Sequence, residues 1–139
     1  MELNVIVKLA IDPALAMLPS TMDTPEARVL LLATGLQESE FMHRRQMGNG
    51  PARGFWQFER GTRASRGGVT GVCLHPASRP WLGRLCAARN VGFAPDNIWR
   101  ALETDDVLAA GGAGSNPFMT RPPSPLSARR RRCPPLSTR

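Results

Sequence analysis

A small, mainly α-helical domain followed by an arginine-, proline- and serine-rich tail is the architecture that the 139-residue sequence predicts. Three observations carry it. Apolar residues recur at helical intervals through the first third of the chain, no segment alternates cleanly with period two between turn signals, and the composition changes abruptly at Gly111. The length suits one domain and is too short for two ordinary ones. We place the helical domain at residues 1–110 and the tail at residues 111–139.

Residues 4–18 set Val5, Leu9, Ile11, Leu15 and Leu18 at mostly helical spacing, stopped by Pro19, which predicts a short helix bent at Asp12 and Pro13. The stretch "TMDTPEARVLLLATGLQES" carries the strongest helix signal: Thr24 as N-cap, Pro25 at the first helical position, Glu26 in the first turn. Val29, Leu32, Ala33 and Leu36 form its stripe and Leu30 and Leu31 broaden it, so this helix is expected at the centre of the domain. The glycines and Pro51 of "GNGPARG" break any helix and deliver "FWQFE" onto a new segment. A polar loop, "RGTRASRGG", comes next. "VTGVCLHP" predicts one or two helical turns, and residues 78–90 a helix with Trp81, Leu82, Leu85 and Cys86 inward. "APDNIWRALETDDVLAAG" predicts one or two short helices ending at Gly111, and Trp99 is read there as core.

The net charge of +7 is a property of the tail. Residues 111–139 hold six arginines and no acid, which leaves 12 basic against 11 acidic groups before them. A phosphate-binding groove on the domain is not supported by those counts, and a nucleic-acid role would rest on the tail alone. Six prolines and few large apolar side chains give the tail too little surface to offset its ordering entropy, so it reads as disordered. The sharper reading of the same change is an out-of-frame translation past residue 110, which would make the domain a truncated one.

Cys73, Cys86 and Cys133 are odd in number and widely spaced, and His43 and His75 stand at no ligand distance from them. Neither a metal site nor a disulfide framework is indicated, and two buried thiols plus one in the tail are expected. Glu2, Lys8 and Asp12 interrupt the N-terminal apolar run, so neither a signal peptide nor a membrane span is read there, and synthesis in the cytoplasm is expected.

The stretch "QESEFMHRRQMGNGPARGFWQFE" concentrates the chemistry. A carboxylic acid ending a buried helix and walled by aromatics has its pKa raised by desolvation until it can donate a proton near neutrality, which glycosidic cleavage requires. Glu38 fits that position, and Glu40, two residues on, is read as solvated. The bland reading of Glu38 is a surface glutamate paired with Arg44 or Arg45. Phe55 and Trp56 can stack on sugar faces or wall the acid, Gln57 offers a neutral donor and acceptor, and Gly54 removes side-chain bulk. Glu59 is either a second carboxylate holding a water opposite Glu38 or a partner for Arg60 or Arg63.

"LLATGLQESEF" followed by "GPARGFWQFE" resembles the lysozyme-like superfamily of soluble lytic transglycosylases and goose-type lysozymes. The signature is a helix ending in Glu-Ser and, 19 residues from Glu38, the glutamine of Gly54-Phe55-Trp56-Gln57. The match covers residues 24–60. It implies a lysozyme-like helical fold, Glu38 as catalytic acid, Ser39 orienting the helix or its carboxylate, Gly54 allowing close approach of a sugar chain, and Gln57 bonding at the cleavage subsite. The implied substrate is the peptidoglycan glycan strand, cut between its two amino sugars without cofactor or metal. A phage or prophage origin is the further implication, with action on the wall after phage-dependent release or as a virion component beside other phage proteins. The chain departs from the family in having no tyrosine, where a tyrosine- and asparagine-bearing motif lines the groove; Asn97 and Ile98 only echo a helix start. That departure keeps open a catalytically inactive structural or wall-binding protein on the same fold.

Overall fold

The computed structural model describes residues 1–117. The described part is mainly helical: α1 (Leu3–Ile6), α2 (Asp12–Ala16), α3 (Pro25–Ser39), α4 (Gly68–Leu74), α5 (Arg79–Ala88), α6 (Pro95–Ala101) and α7 (Asp106–Ser115). Residues Val7–Ile11 join α1 to α2 as a π-helical stretch, and Ser20–Met22 form a 3₁₀ turn. Among the described residues the β structure is limited to isolated antiparallel bridges, Arg45 with Arg53 and Arg53 with Phe58.

The N-terminal helix answers to Pro13. A proline offers no N–H, and its ring crowds the carbonyl four residues back. The chain meets this by widening just before it, where the Asp12 N–H bonds Val7 O, five residues away. The widening rotates the inward face. Ile6, Ala10, Ile11, Ala14, Leu15 and Leu18 are buried, whereas Leu9, expected inward, is 64% exposed.

The central helix is not the one expected. α3 begins as its caps dictate, with Thr24 Oγ1 accepting from Ala27 N at 3.1 Å. Its buried seam, however, is only Leu31, Gly35 and Ser39, at intervals of four, and Val29, Leu30 and Leu36 are exposed. The centre belongs to α7, whose residues from Val107 to Ser115 are all buried. It packs most extensively on the π-helical stretch, α2 and α5, and also touches α3 and α4. Small side chains explain this. A helix of Ala and Gly presents a thin cylinder that several neighbours can approach at once, so composition that looked like a linker builds the middle of the core. α7 therefore runs through Ser115, past the expected start of the tail at Gly111. The remainder of that tail and its Cys133, from residue 118 on, lies outside the described residues.

The later elements follow the pattern. α4 makes two turns, and α5 buries Leu82, Leu85 and Cys86, with Trp81 packed partly against the core. α6 and α7 are the two short helices expected after residue 94. Cys73 and Cys86 are free and buried. Burial, followed by the nearby Cys73 and Asp105, pushes the Cys86 thiol up to about 11. No helix among the described residues is long and apolar enough to cross a membrane.

Two measurements check this packing. A Cβ at Gly111 would press into the methyl groups of Leu85. Gly111→Val should lower stability by about 1–3 kcal/mol through overpacking, read from the denaturant midpoint at constant m; an unchanged midpoint would return residue 111 to the tail. The Cys86 thiol ionises near 9 when unfolded and about 11 when folded. Between those values the unfolded chain has lost a proton that the folded chain keeps, so stability should fall as pH rises through this window. Urea titrations across it should show a shallower fall in Cys86→Ala.

Candidate functional site

The site grows from the end of α3. Glu40 takes the left-handed conformation that closes the helix, its N–H bonding Leu36 O at 3.0 Å, and Phe41 follows with φ at +51°. A bulky residue held there costs on the order of 1–3 kcal/mol. The cost is offset by what the turn achieves. The Phe41 ring drops onto Gly35, where a Cβ would run into it, and meets Phe55 and Trp56 edge-on at centroid distances of 5.6 and 5.5 Å. Each such edge contact adds about 0.5–1.5 kcal/mol beyond burial.

Ser39 welds the second half of the site to this helix. It is buried, its Oγ donates to Phe55 O at 2.6 Å, and it accepts from Phe41 N at 3.2 Å. Phe55 belongs to a tight loop between Arg53 and Phe58, which exchange backbone hydrogen bonds of 2.9 Å in both directions. Positive φ at both ends, +75° at Gly54 and +50° at Gln57, turns the two middle side chains inward. Phe55 and Trp56 are accordingly 1% and 4% exposed, and Trp56 Nε1 donates to Leu31 O at 2.9 Å.

Three expectations change as a result. Phe55 and Trp56 are core residues rather than stacking platforms, and neither walls Glu38, which is exposed. Among the described residues no phenylalanine or tryptophan lines the Glu38 cleft, so the desolvating aromatic wall expected at the acid is not formed by them. Gly54 does allow a close approach, but to the backbone of Leu102, whose oxygen would lie 2.8 Å from a Cβ. A cue existed in the sequence. A chain with eight aromatic residues in all needs most of them for its core.

The polar residues of the stretch do converge. Glu38, Gln57 and Glu59 line one open cleft of about 410 Å³, together with His43, Arg45 and Met47. Gln57 is half-buried, and its Nε2 donates to Gly54 O at 2.8 Å, which fixes the amide and leaves its oxygen available. Neither Glu38 nor Glu59 enters a side-chain ion pair among the described residues. Two of their candidate partners are occupied elsewhere: Arg44 forms a two-pronged pair with Asp106 at 3.0 and 2.9 Å, and Arg60 meets Asp96 at 2.8 Å. Arg45 stands 3.9 Å from Glu103.

Arg53 is the residue that sequence reading missed. It is buried, lies over the Trp99 ring at 4.6 Å, and donates to Gly50 O and Ala52 O at 2.6 and 3.0 Å. Trp99 in turn donates to Pro51 O at 2.8 Å. Together they pin the glycine-rich loop to α6. Arg44 does the same for the entry to the loop, its guanidinium 4.3 Å above Phe55 while its donors hold the first turn of α7. Among the described residues no group of three or more His, Cys, Asp or Glu could hold a metal ion.

No protein-family model matches the chain, and neither a curated protein nor a solved structure matches it.

Ser39→Ala would leave Phe55 O and Phe41 N without their buried partner. A loss of about 1–3 kcal/mol is expected, with hydrogen exchange speeding up at Phe41 and across residues 53–58. Unchanged protection there would mean that the helix and loop are not joined through this hydroxyl.

Proposed function

We propose that this protein is a peptidoglycan-cleaving glycosidase of the lysozyme or lytic-transglycosylase type on a lysozyme-like helical scaffold, with Glu38 as general acid. The observation that carries the reading is the meeting of Glu38, Gln57 and Glu59 in one cleft, from a helix end and a loop 19 residues later. Glu38 protonates the leaving glycosidic oxygen as the bond to the anomeric carbon breaks between the two amino sugars. Ser39 is a positioning residue, tying the helix end that carries Glu38 to the loop that carries Gln57. The Gln57 amide oxygen accepts from a sugar hydroxyl or acetamido N–H. An exposed acid gains its desolvation from the substrate itself, since a glycan strand filling the cleft excludes water from the carboxyl.

Two chemical outcomes remain for the cation that develops at the anomeric carbon. With Glu59 holding a water, hydrolysis leaves a reducing end; with Glu38 acting again as base on the sugar's own 6-hydroxyl, an anhydro ring closes. The protein would be a phage or prophage product that acts on the wall. The second reading, a structural or wall-binding protein without activity, is favoured by one observation: the aromatics that would have stacked on sugar are buried in the core.

Mass spectrometry of muropeptides released from purified peptidoglycan separates these readings. Wild-type protein should release products and Glu38→Gln, which keeps shape and removes the proton, should lower the rate at least about a hundredfold. Anhydro products establish transglycosylation, and reducing ends establish hydrolysis with Glu59 as second carboxylate. Equal release by the variant, or none by folded wild-type protein, would end the catalytic assignment.

A further inference from the structure

α3 carries apolar side chains on the face turned away from the core. Its buried seam runs through Leu31, Gly35 and Ser39, whereas Val29, Leu30 and Leu36 are 66%, 38% and 43% exposed. Val29, Ala33 and Leu36, at spacings of four and three, share the side opposite that seam, with Leu30 beside them. One such residue on a surface is ordinary, but three large ones on one helix face make a patch that calls for a cover. Glu26, in the first turn, lies in line with the patch and enters no ion pair among the described residues.

The chain leaving α7 starts beside this helix. A Cβ at Gly114 would lie 3.8 Å from Leu31 Cδ1, so the last turn of α7 rests on the seam side of α3. At the other end of α7, Asp106 binds Arg44, just past the end of α3. α7 therefore runs back along α3, toward Glu26. Half the circumference of a helix about 11 Å across is roughly 17 Å, a span that about five extended residues cover. Measured from Ser115, where α7 ends, that length brings Phe118 and Met119 within reach of the outer face and Arg121 within reach of Glu26.

We propose that residues 118–121, Phe-Met-Thr-Arg, dock on the outer face of α3, with Phe118 and Met119 over Val29 and Leu30 and the Arg121 guanidinium on the Glu26 carboxylate. The segment matches the face in both respects. A ring supplies area, an unbranched thioether adapts to an uneven apolar surface, and the cation falls where an acid waits. A second copy of α3 matches it less well. Glu26 and Glu40 stand at the two ends of the exposed stripe, and Arg28, the basic residue of α3, is committed to Asp12 and Asp23. Two such faces packed in either direction set glutamate against glutamate with no cation between them.

Nuclear Overhauser spectra of the full chain test this without any variant. Cross-peaks between the Phe118 ring and the methyl groups of Val29 and Leu30 are expected. Substitution gives a second reading. A polar replacement at a residue left 66% exposed should keep the unfolding equilibrium within about twofold of wild type. With Phe118 over it, Val29→Ser should instead favour the unfolded chain about tenfold. Phe118→Ser should do the same, and the double variant should be no worse than either single one, because each removes the same contact. Missing cross-peaks, a Val29→Ser chain as stable as wild type, or losses that add in the double variant would overturn the proposal. Sedimentation separates the rival occupant. A monomer is expected, and a dimer that Val29→Ser dissociates would give the face to a second copy and remove the tail from it.

Discussion

The junction of Ser39 with Phe55 is the contact on which the candidate site depends. One hydroxyl, buried at the last residue of α3, donates to the loop carbonyl and accepts from the N–H of Phe41, so one side chain joins the helix end to the loop, and the Trp56 bond to Leu31 O adds a second tie. Around it the rings of Phe41, Phe55 and Trp56 close over Gly35. The left-handed backbone at Glu40 and Phe41 is sustained by this cluster, since without the burial of Phe41 nothing would hold a bulky residue at positive φ. Glu38 projects from the helix one residue before the weld and Gln57 from the loop two residues after it. Their shared cleft is a consequence of that joint.

The core shows the same logic on a larger scale. α7 has few large side chains, yet it is the element that the N-terminal helices, α3, α4 and α5 all reach. Glycine at 111 makes room for Leu85, and Gly114 sits under Leu15, Leu18 and Leu31. Large residues on the surrounding helices thus interlock through a thin central one, which is how a small domain attains close packing without a long apolar stripe on any single helix. The two acids that start α7 extend its reach. Asp105 caps it and binds Arg89, while Asp106 binds Arg44, so the core helix is tied both to α5 and to the chain entering the site.

Charge is sorted rather than balanced locally. Most arginines of the domain are committed to particular acids or rings: Arg28 to Asp12 and Asp23, Arg44 to Asp106, Arg89 to Asp105, Arg53 to Trp99. Exposed pairs of this kind contribute about 0–1 kcal/mol each, so their effect is more on geometry than on stability. What remains after this pairing is informative. Among the described residues Glu38 and Glu59 enter no ion pair and line one cleft, so both carboxylates are available to a ligand there.

The sequence by itself determined the helical class, the caps of α3, the break at the glycine-rich loop and the stretch that holds Glu38, Ser39, Gln57 and Glu59. Those are local matters: Thr24, Pro25 and the glycines act through the backbone within a few residues of themselves. Orientation was decided elsewhere. Val29 and Leu36 obey helical periodicity and still face outward, because α3 needs only the seam through Gly35 to seat Phe41. Leu9 turned outward because Pro13 widened the helix before it. Phe55 and Trp56 looked like sugar platforms beside a catalytic motif, and two positive-φ residues turned them into the core instead. Gly111 to Ser115 looked like the start of a tail, since hydropathy weighs side-chain size, whereas burial at the centre of a small bundle rewards the lack of it. Which side chains share a surface depends on contacts between residues far apart in the chain, and only the tertiary structure contains them.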